Sequence, residues 1–375
     1  MGESVLKTFR CTCGNTVHFE NDTCLVCGRA LGFIPGAHAM GAFDSIPGRV
    51  SRAAASTETY RACANYTEHQ TCNWMVPESD ADEFCISCRL NSVIPDLSDS
   101  RRVQLWYEVE KAKRRLLYTL MTLGLPIEGK DLREDGLAFR ILADARLDSD
   151  SAIAPTDDPV TTGHYEGSIT INLLEADASK REQMREAMQE RYRTLLGHFR
   201  HESGHYYWAR LVLDPTIAST GSARVDGARA VFGDERADYA ATLSHYYKNG
   251  PPPDWRDRHI SKYAASHPFE DFAETWAHHL HIVDTLETAA DSDVQISGRV
   301  VRAPTLASPQ YELLKEPDMK VHFDDMLNDW SELTLVMNRL NRSMGLADAY
   351  PFALSQKVIE KLRYVHDLIE QSTPR

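Results

Sequence analysis

Beyond residue 88 this chain of 375 residues has no cysteine, and nowhere does it carry a long run of apolar residues. It is also short of positive charge, with 41 Lys and Arg against 55 Asp and Glu and a formal net charge of −14. Each shortage excludes something. A deficit of cations argues against a nucleic-acid or membrane-surface binder, which needs a basic face. The most apolar stretch, 116–127, is too short to cross a bilayer, so no transmembrane helix is expected. The N-terminus is polar and runs straight into Cys11 and Cys13, without the charged start and apolar centre of a secretory signal. The chain is therefore expected in a reducing, cytoplasmic compartment, where clustered cysteines bind metal more often than they form disulfides.

What the chain does have is concentrated. A hydrophobic content of 42% supports a real core, and the length suits two or three folded units. All eight cysteines fall in the first quarter. Cys11-Thr-Cys13-Gly and Cys24-Leu-Val-Cys27-Gly are two short turns, each followed by glycine. Such turns wrap backbone amides around thiolates, and four sulfurs complete a closed tetrahedral site for zinc, a zinc ribbon. So short a module cannot fold on its own apolar core without metal. Cys63, Cys72, Cys85 and Cys88 form a second set, with the two-residue spacing of a zinc turn only in its last pair. The rival reading replaces Cys63 or Cys72 by His69.

Three regions follow: a zinc ribbon over 1–35, a second four-cysteine region over 36–98, and a mainly helical α+β domain over 99–375 with a small β-sheet. Val103, Leu105, Trp106, Val109, Ala112, Leu116, Leu117 and Leu120 recur at helical spacing up to Gly124 and Pro126. Residues 169–173 alternate β-branched side chains and predict a strand. A second long helix is expected over 180–213, then a glycine-rich stretch to Gly233, then helices over 234–248, 268–288, 324–343 and 355–371.

Residues 201–205 read His-Glu-Ser-Gly-His. On a helix, positions i and i+4 share a face, so both imidazoles can reach one zinc ion while Glu202 sits beside it. Zinc lowers the pKa of water toward neutrality, and the glutamate accepts the proton as the water attacks a carbonyl. Apolar neighbours on both sides suit a buried helix, and Gly204, a poor helix former, suits close approach of another element. The preceding strand suits an edge where an extended substrate can pair. A histidine third ligand of the metzincin kind needs Gly at 208 and His at 211, where this chain has Trp208 and Leu211. The other common solution is a glutamate from a later helix. His267-Pro-Phe-Glu-Asp-Phe-Ala-Glu274 reads as a helix start with Glu270 and Glu274 one turn apart, one suited to bind zinc and the other to orient a ligand histidine. His198, His278, His279 and His281 crowd the same region, and most are assigned to packing or to supporting the ligands rather than to the metal.

Tyr263 followed by Glu270-Asp-Phe-Ala-Glu274 resembles the pattern of the anthrax lethal factor group of gluzincin peptidases. That resemblance implies Glu270 as the zinc ligand, with Glu274 in reserve, and Tyr263 as an oxyanion donor or leaving-group acid. The order of the cysteine turns, Cys72-Asn-Trp, Glu110-x-Ala-Lys-Arg-Arg, the His201–His205 helix, the Glu270 segment, Asn341-Arg-Ser-Met-Gly345 and Asp348-Ala-Tyr-Pro-Phe352 resembles a bacterial family of zinc-binding metallopeptidases with an N-terminal zinc ribbon. It implies a zincin-like domain that hydrolyses peptide bonds; with the two cysteine sets, the chain is expected to hold one catalytic and two structural Zn2+ and to act on a peptide or protein. Two other readings compete: hydrolysis of a non-peptide amide, and a degenerate zincin that serves as a regulatory nucleic-acid binder. The last suits poorly, because residues 1–100 hold seven Lys and Arg against twelve Asp and Glu.

Overall fold

The computed structural model describes residues 8–46, 49–52, 58–188, 190, 192–214, 221–296, 298–302 and 322–372. Its packing separates two compact units, one from 1–122 with 127–196 and the other from 123–126 with 197–375.

The first unit opens with a hairpin of β1 (Thr8–Arg10) and β2 (Thr16–His18). Cys11 and Cys13 occupy its turn. Gly14 and Gly28 close the two cysteine turns at φ of 88° and 73°, a left-handed backbone that a side chain would strain. Their amides bond the carbonyls of Cys11 and Cys24, each at 2.8 Å. An antiparallel sheet follows in chain order: β3 (Ala30–Ile34), β4 (Ala39–Ile46), β5 (Arg49–Arg52), β6 (Thr59–Ala62) and β7 (Met75–Pro77). Because β3 and β4 pair directly, one sheet crosses residue 35, where the sequence reading set a boundary. A short helix, α1 (Ala64–His69), leads away from Cys63.

Helix α2 (Ser100–Thr122) starts where the Asp99 carboxylate accepts the Arg101 amide at 2.9 Å. Its predicted apolar face is buried at Trp106, Val109, Leu116, Leu117 and Leu120. The Tyr118 ring meets Phe19 at 5.1 Å and stacks on His38 at 4.3 Å, which ties the ribbon to the helix. Less expected, α2 also buries Glu110, Lys113 and Arg114. Lys113 Nζ lies 2.8 Å from Glu110 Oε2 and donates to Asn91 Oδ1 at 2.5 Å, and Trp106 Nε1 donates to Glu110 at 3.2 Å. Removing one partner of a fully buried pair leaves an uncompensated charge. Glu110→Ala is therefore expected to destabilise this unit by about 3–5 kcal/mol. Urea denaturation followed by tryptophan fluorescence would measure it, and an unchanged midpoint would mean that Lys113 is satisfied without Glu110.

A second sheet has the order β10 (Gly163–Tyr165), β11 (Ser168–Asn172), β9 (Ala138–Leu142), β8 (Asn91–Val93). The predicted strand is β11, with Ile169 and Ile171 fully buried. It is not an edge, since β10 pairs it antiparallel on one side and β9 parallel on the other. The long helix expected over 180–213 is also two. Helix α3 (Ala178–Ala187), capped by Asp177, ends at Met188, and α4 covers Leu195–Tyr207 before widening into a π-helical turn over Trp208–Leu213. Residues 181–191 are dominated by Arg, Glu and Gln and offer no apolar stripe to hold one continuous helix. Arg193 pairs instead with Glu175 at 2.5 Å and Glu190 at 2.9 Å. Residues 189 and 191 lie outside the described residues.

In the second unit the glycine-rich stretch is helical from Gly221 to Phe232, α5, and stops at Gly233 with φ of 102°. Residues 215–220 of that stretch lie outside the described residues. Helix α6 (Tyr239–Asn249) begins later than 234 because Asp238 Oδ1 accepts the Ala241 amide and caps it. After a short α7 (Trp255–Arg258) come α8 (Pro268–Asp291), a hairpin of β12 (Gln295–Ile296) and β13 (Arg299–Val300), α9 (Phe323–Ser343) and α10 (Gln356–Ser372). α8 opens on Pro268 at its first helical position, behind His267, whose ring accepts the Phe269 amide. Among the described residues, no helix is long and apolar enough to cross a membrane.

Candidate functional site

The crossing of α4 and α8 makes the site. A Cβ added at Gly204 would stand 2.8 Å from Ala273 Cα, so the two backbones meet at a glycine facing an alanine. The Trp276 indole donates to the buried Ser203 hydroxyl at 3.1 Å, and Arg200 pairs with Asp284 along the same contact. This closeness brings the polar face of α4 against the first two turns of α8.

There Glu270 Oε2 lies 3.0 Å from His201 Nε2 and 3.4 Å from His205 Nε2. The three ligand atoms fall within 4.8 Å of one another, a group able to hold a metal ion. Glu274 stands behind them, its Oε1 2.7 Å from His201 Nδ1. Between the two carboxylates, the His201 ring is held in its charged form against the cost of burial; with a metal bound, Nδ1 would keep its proton on Glu274 and Nε2 would turn its lone pair to the ion. Glu202 is buried beside both imidazoles. The Tyr263 ring lies 5.9 Å from the ring of His201, and the Tyr239 hydroxyl donates to Glu270 Oε1 at 2.6 Å.

Burial opposes charge throughout this cluster, and its balance against the neighbours differs from group to group. For Glu270 the two imidazoles outweigh burial and hold the carboxyl far below its ordinary range. Glu274 is likewise pulled down to about 2 by His201. For Glu202 burial wins, reinforced by Glu270 and Glu274, and its pKa is raised. Burial also raises both tyrosines. Two ionised carboxylates around two imidazoles in a nearly dry crossing suit a cation, and the N···O separations match the edge of a tetrahedron with bonds of about 2.0–2.1 Å, roughly 3.3 Å.

The cysteines form two further groups. Cys11, Cys13, Cys24 and Cys27 converge, as do Cys63, Cys72, Cys85 and Cys88. Sulfur pairs stand 3.6 Å apart for Cys11 and Cys27, and 3.7 Å for Cys13 and Cys24 and for Cys72 and Cys85. A disulfide needs about 2.05 Å. Four thiolates at about 2.3 Å from a zinc ion stand about 3.8 Å apart, so the separations fit the metal. The amide of Cys27, with that of Val26, draws the Cys24 thiol down to about 6, toward the thiolate. His69, the rival ligand, packs its ring against Trp106 at 5.7 Å. Arg114, buried beside the second group, has its charge favoured by Cys72, Glu110, Cys88 and Cys85 against the cost of burial. Glu110 and Arg114 of the Glu110-x-Ala-Lys-Arg-Arg motif are thus buried support for this cysteine cluster, while Arg115 turns outward to Glu20.

A model of the family described as "putative zinc-binding metallo-peptidase" matches residues 102–368. The chain belongs to this family. A zinc-ribbon domain model matches residues 8–99 of the same chain. Uncharacterized proteins of Mycobacterium bovis and Mycobacterium tuberculosis are 38% identical to it over 371 residues, which is 98% of this chain and 97% of each relative. No solved structure matches it.

Two features of this chain are not legible in its sequence. Tyr239 carries no motif, and the Asp238 cap beside it marks a helix start without saying what the helix faces. The 341–352 segment has a structural task. Asn338 brackets Tyr350 with two bonds of 3.0 Å, and the Tyr350 hydroxyl meets His278 Nδ1 at 2.8 Å, one turn beyond Glu274 on α8. His279 and His281 also pack: His279 lies 3.3 Å from His366, and the His281 ring lies 5.8 Å from Trp330.

Proposed function

We propose that the chain is a zinc-dependent peptidase in which His201, His205 and Glu270 hold the catalytic zinc and Glu202 is the general base. The observation that carries this reading is the convergence of His201 Nε2, His205 Nε2 and Glu270 Oε2 beside a buried Glu202 that is not itself among the three. Bound there, zinc would supply a Lewis acid for the scissile carbonyl and water acidified toward neutrality.

The protein's own groups do the rest. Glu202, with a raised pKa, is suited to take a proton from the attacking water and return it to the leaving amine. Glu274 fixes the tautomer and direction of His201. Tyr263, whose hydroxyl burial keeps protonated, is suited to donate to the oxygen on which negative charge develops. The two cysteine groups hold structural zinc, and the reduced thiols and acidic surface suit a cytoplasmic enzyme acting on peptides or proteins rather than on nucleic acid.

Metal analysis tests the division of labour. Three zinc equivalents per chain are expected, two retained by thiolates and one removable by a chelator. Hydrolysis should stop when that one leaves and return with added zinc. Hydrolysis that persists after its removal would sink the assignment.

A further inference from the structure

Glu270 has two carboxylate oxygens, and only Oε2 faces the imidazoles. Oε1 accepts the Tyr239 hydroxyl at 2.6 Å. A glutamate in the first turn of a helix has three rotatable bonds, so a bond to the outer oxygen decides which oxygen is presented inward. Tyr239 is itself held. It is the first residue of α6, whose start is set by the Asp238 cap. The residue before that cap, Ala237, gives its carbonyl to His267 Nε2 at 3.0 Å.

His267 is buried and serves both sides. Its Nδ1 accepts the Phe269 amide at 3.1 Å, capping the helix that carries Glu270. The ring proton is then on Nε2, because the Ala237 carbonyl can only accept. Its ring also stands edge-on to Tyr239, 5.1 Å between centroids at 74°. One imidazole therefore joins the start of α8 to the start of α6, and the pair Tyr239 and Glu270 closes the loop.

We propose that Tyr239, anchored through His267, is a positioning residue that fixes Glu270 as a one-oxygen metal ligand, presenting Oε2 alone between His201 and His205. This rests on the reading of those three residues as the metal-holding set. The alternative, that Tyr239 touches substrate, is separated by a measurement that uses no substrate.

The full chain, loaded with zinc, is titrated with a colorimetric chelator. The variants are Tyr239→Phe, which removes only the hydroxyl of a part-exposed side chain, and His267→Asn, which keeps a helix-capping acceptor but is too short to reach Ala237. In both, the removable zinc should be lost at chelator concentrations about 10–100-fold lower than in the wild type, with the cysteine-bound zinc unchanged. Titrations that superimpose on the wild type would overturn the proposal. So would a loss of turnover with zinc retention unaltered, since Tyr239 would then act on substrate. A wild-type chain with no third zinc removes the ligand set and this inference with it. A chain that holds the third zinc and responds as expected but cleaves nothing would overturn the peptidase reading alone.

Discussion

Glu202→Gln is expected to lower peptide hydrolysis by about 10²–10⁴-fold while all three zinc equivalents stay bound. The substitution keeps the size and shape of the side chain and removes its ability to accept a proton. Glu202 lies on α4 between the two histidines in sequence, buried, but outside the group of converging ligand atoms. Nothing in the metal-holding geometry therefore needs its charge. Its raised pKa comes from burial and from Glu270 and Glu274, with the imidazoles partly offsetting them. A carboxylate so placed is a better base than one in water, because ionisation there is less favourable and proton uptake correspondingly easier. Turnover unchanged in this variant would take Glu202 out of the chemistry.

Glu270→Ala and Glu274→Ala should separate just as sharply in the full chain. Without Glu270, two imidazoles are left and the removable zinc is expected to be lost on desalting, with hydrolysis. Without Glu274, His201 keeps Nε2 toward the metal position but loses the acceptor at Nδ1, 2.7 Å away. A fall of about 10–100-fold in affinity for that zinc is the expected scale. Should Glu274→Ala empty the site and Glu270→Ala leave it full, the assignment is reversed. The role given to Tyr263 would fall with it, because both rest on the same register along the chain.

Much of this site was legible before the fold, and the reasons are local. An i, i+4 histidine pair states its geometry in its spacing, and a cysteine turn followed by glycine states its backbone. Gly204 was legible as a place of close approach, and the structure puts Ala273 there. What stayed hidden depends on distant partners. Lys113 and Arg114 sit in a helix whose apolar repeat is clear, yet their burial depends on the cysteine cluster and on Glu110. Tyr239 meets Glu270 across thirty-one positions of chain. Tyr350 reaches His278 across seventy-two. The break between α3 and α4 is hidden for a different reason: a strongly polar run has good helix formers but no apolar face to hold one continuous helix. The glycines at 221 and 227 erred in the opposite direction, since glycine lowers helix propensity without forbidding a helix that packs Ala228 and Phe232.

The central claim is that a zinc held by His201, His205 and Glu270 opens peptide bonds with Glu202 as base. Its most direct test is digestion of a proteome-derived peptide library by the zinc-loaded wild type and by Glu202→Gln, with new termini read by mass spectrometry. The account predicts new termini with the wild type and almost none with the variant. A wild-type chain with its full zinc that opens no peptide bond, or identical termini from both proteins, would contradict it.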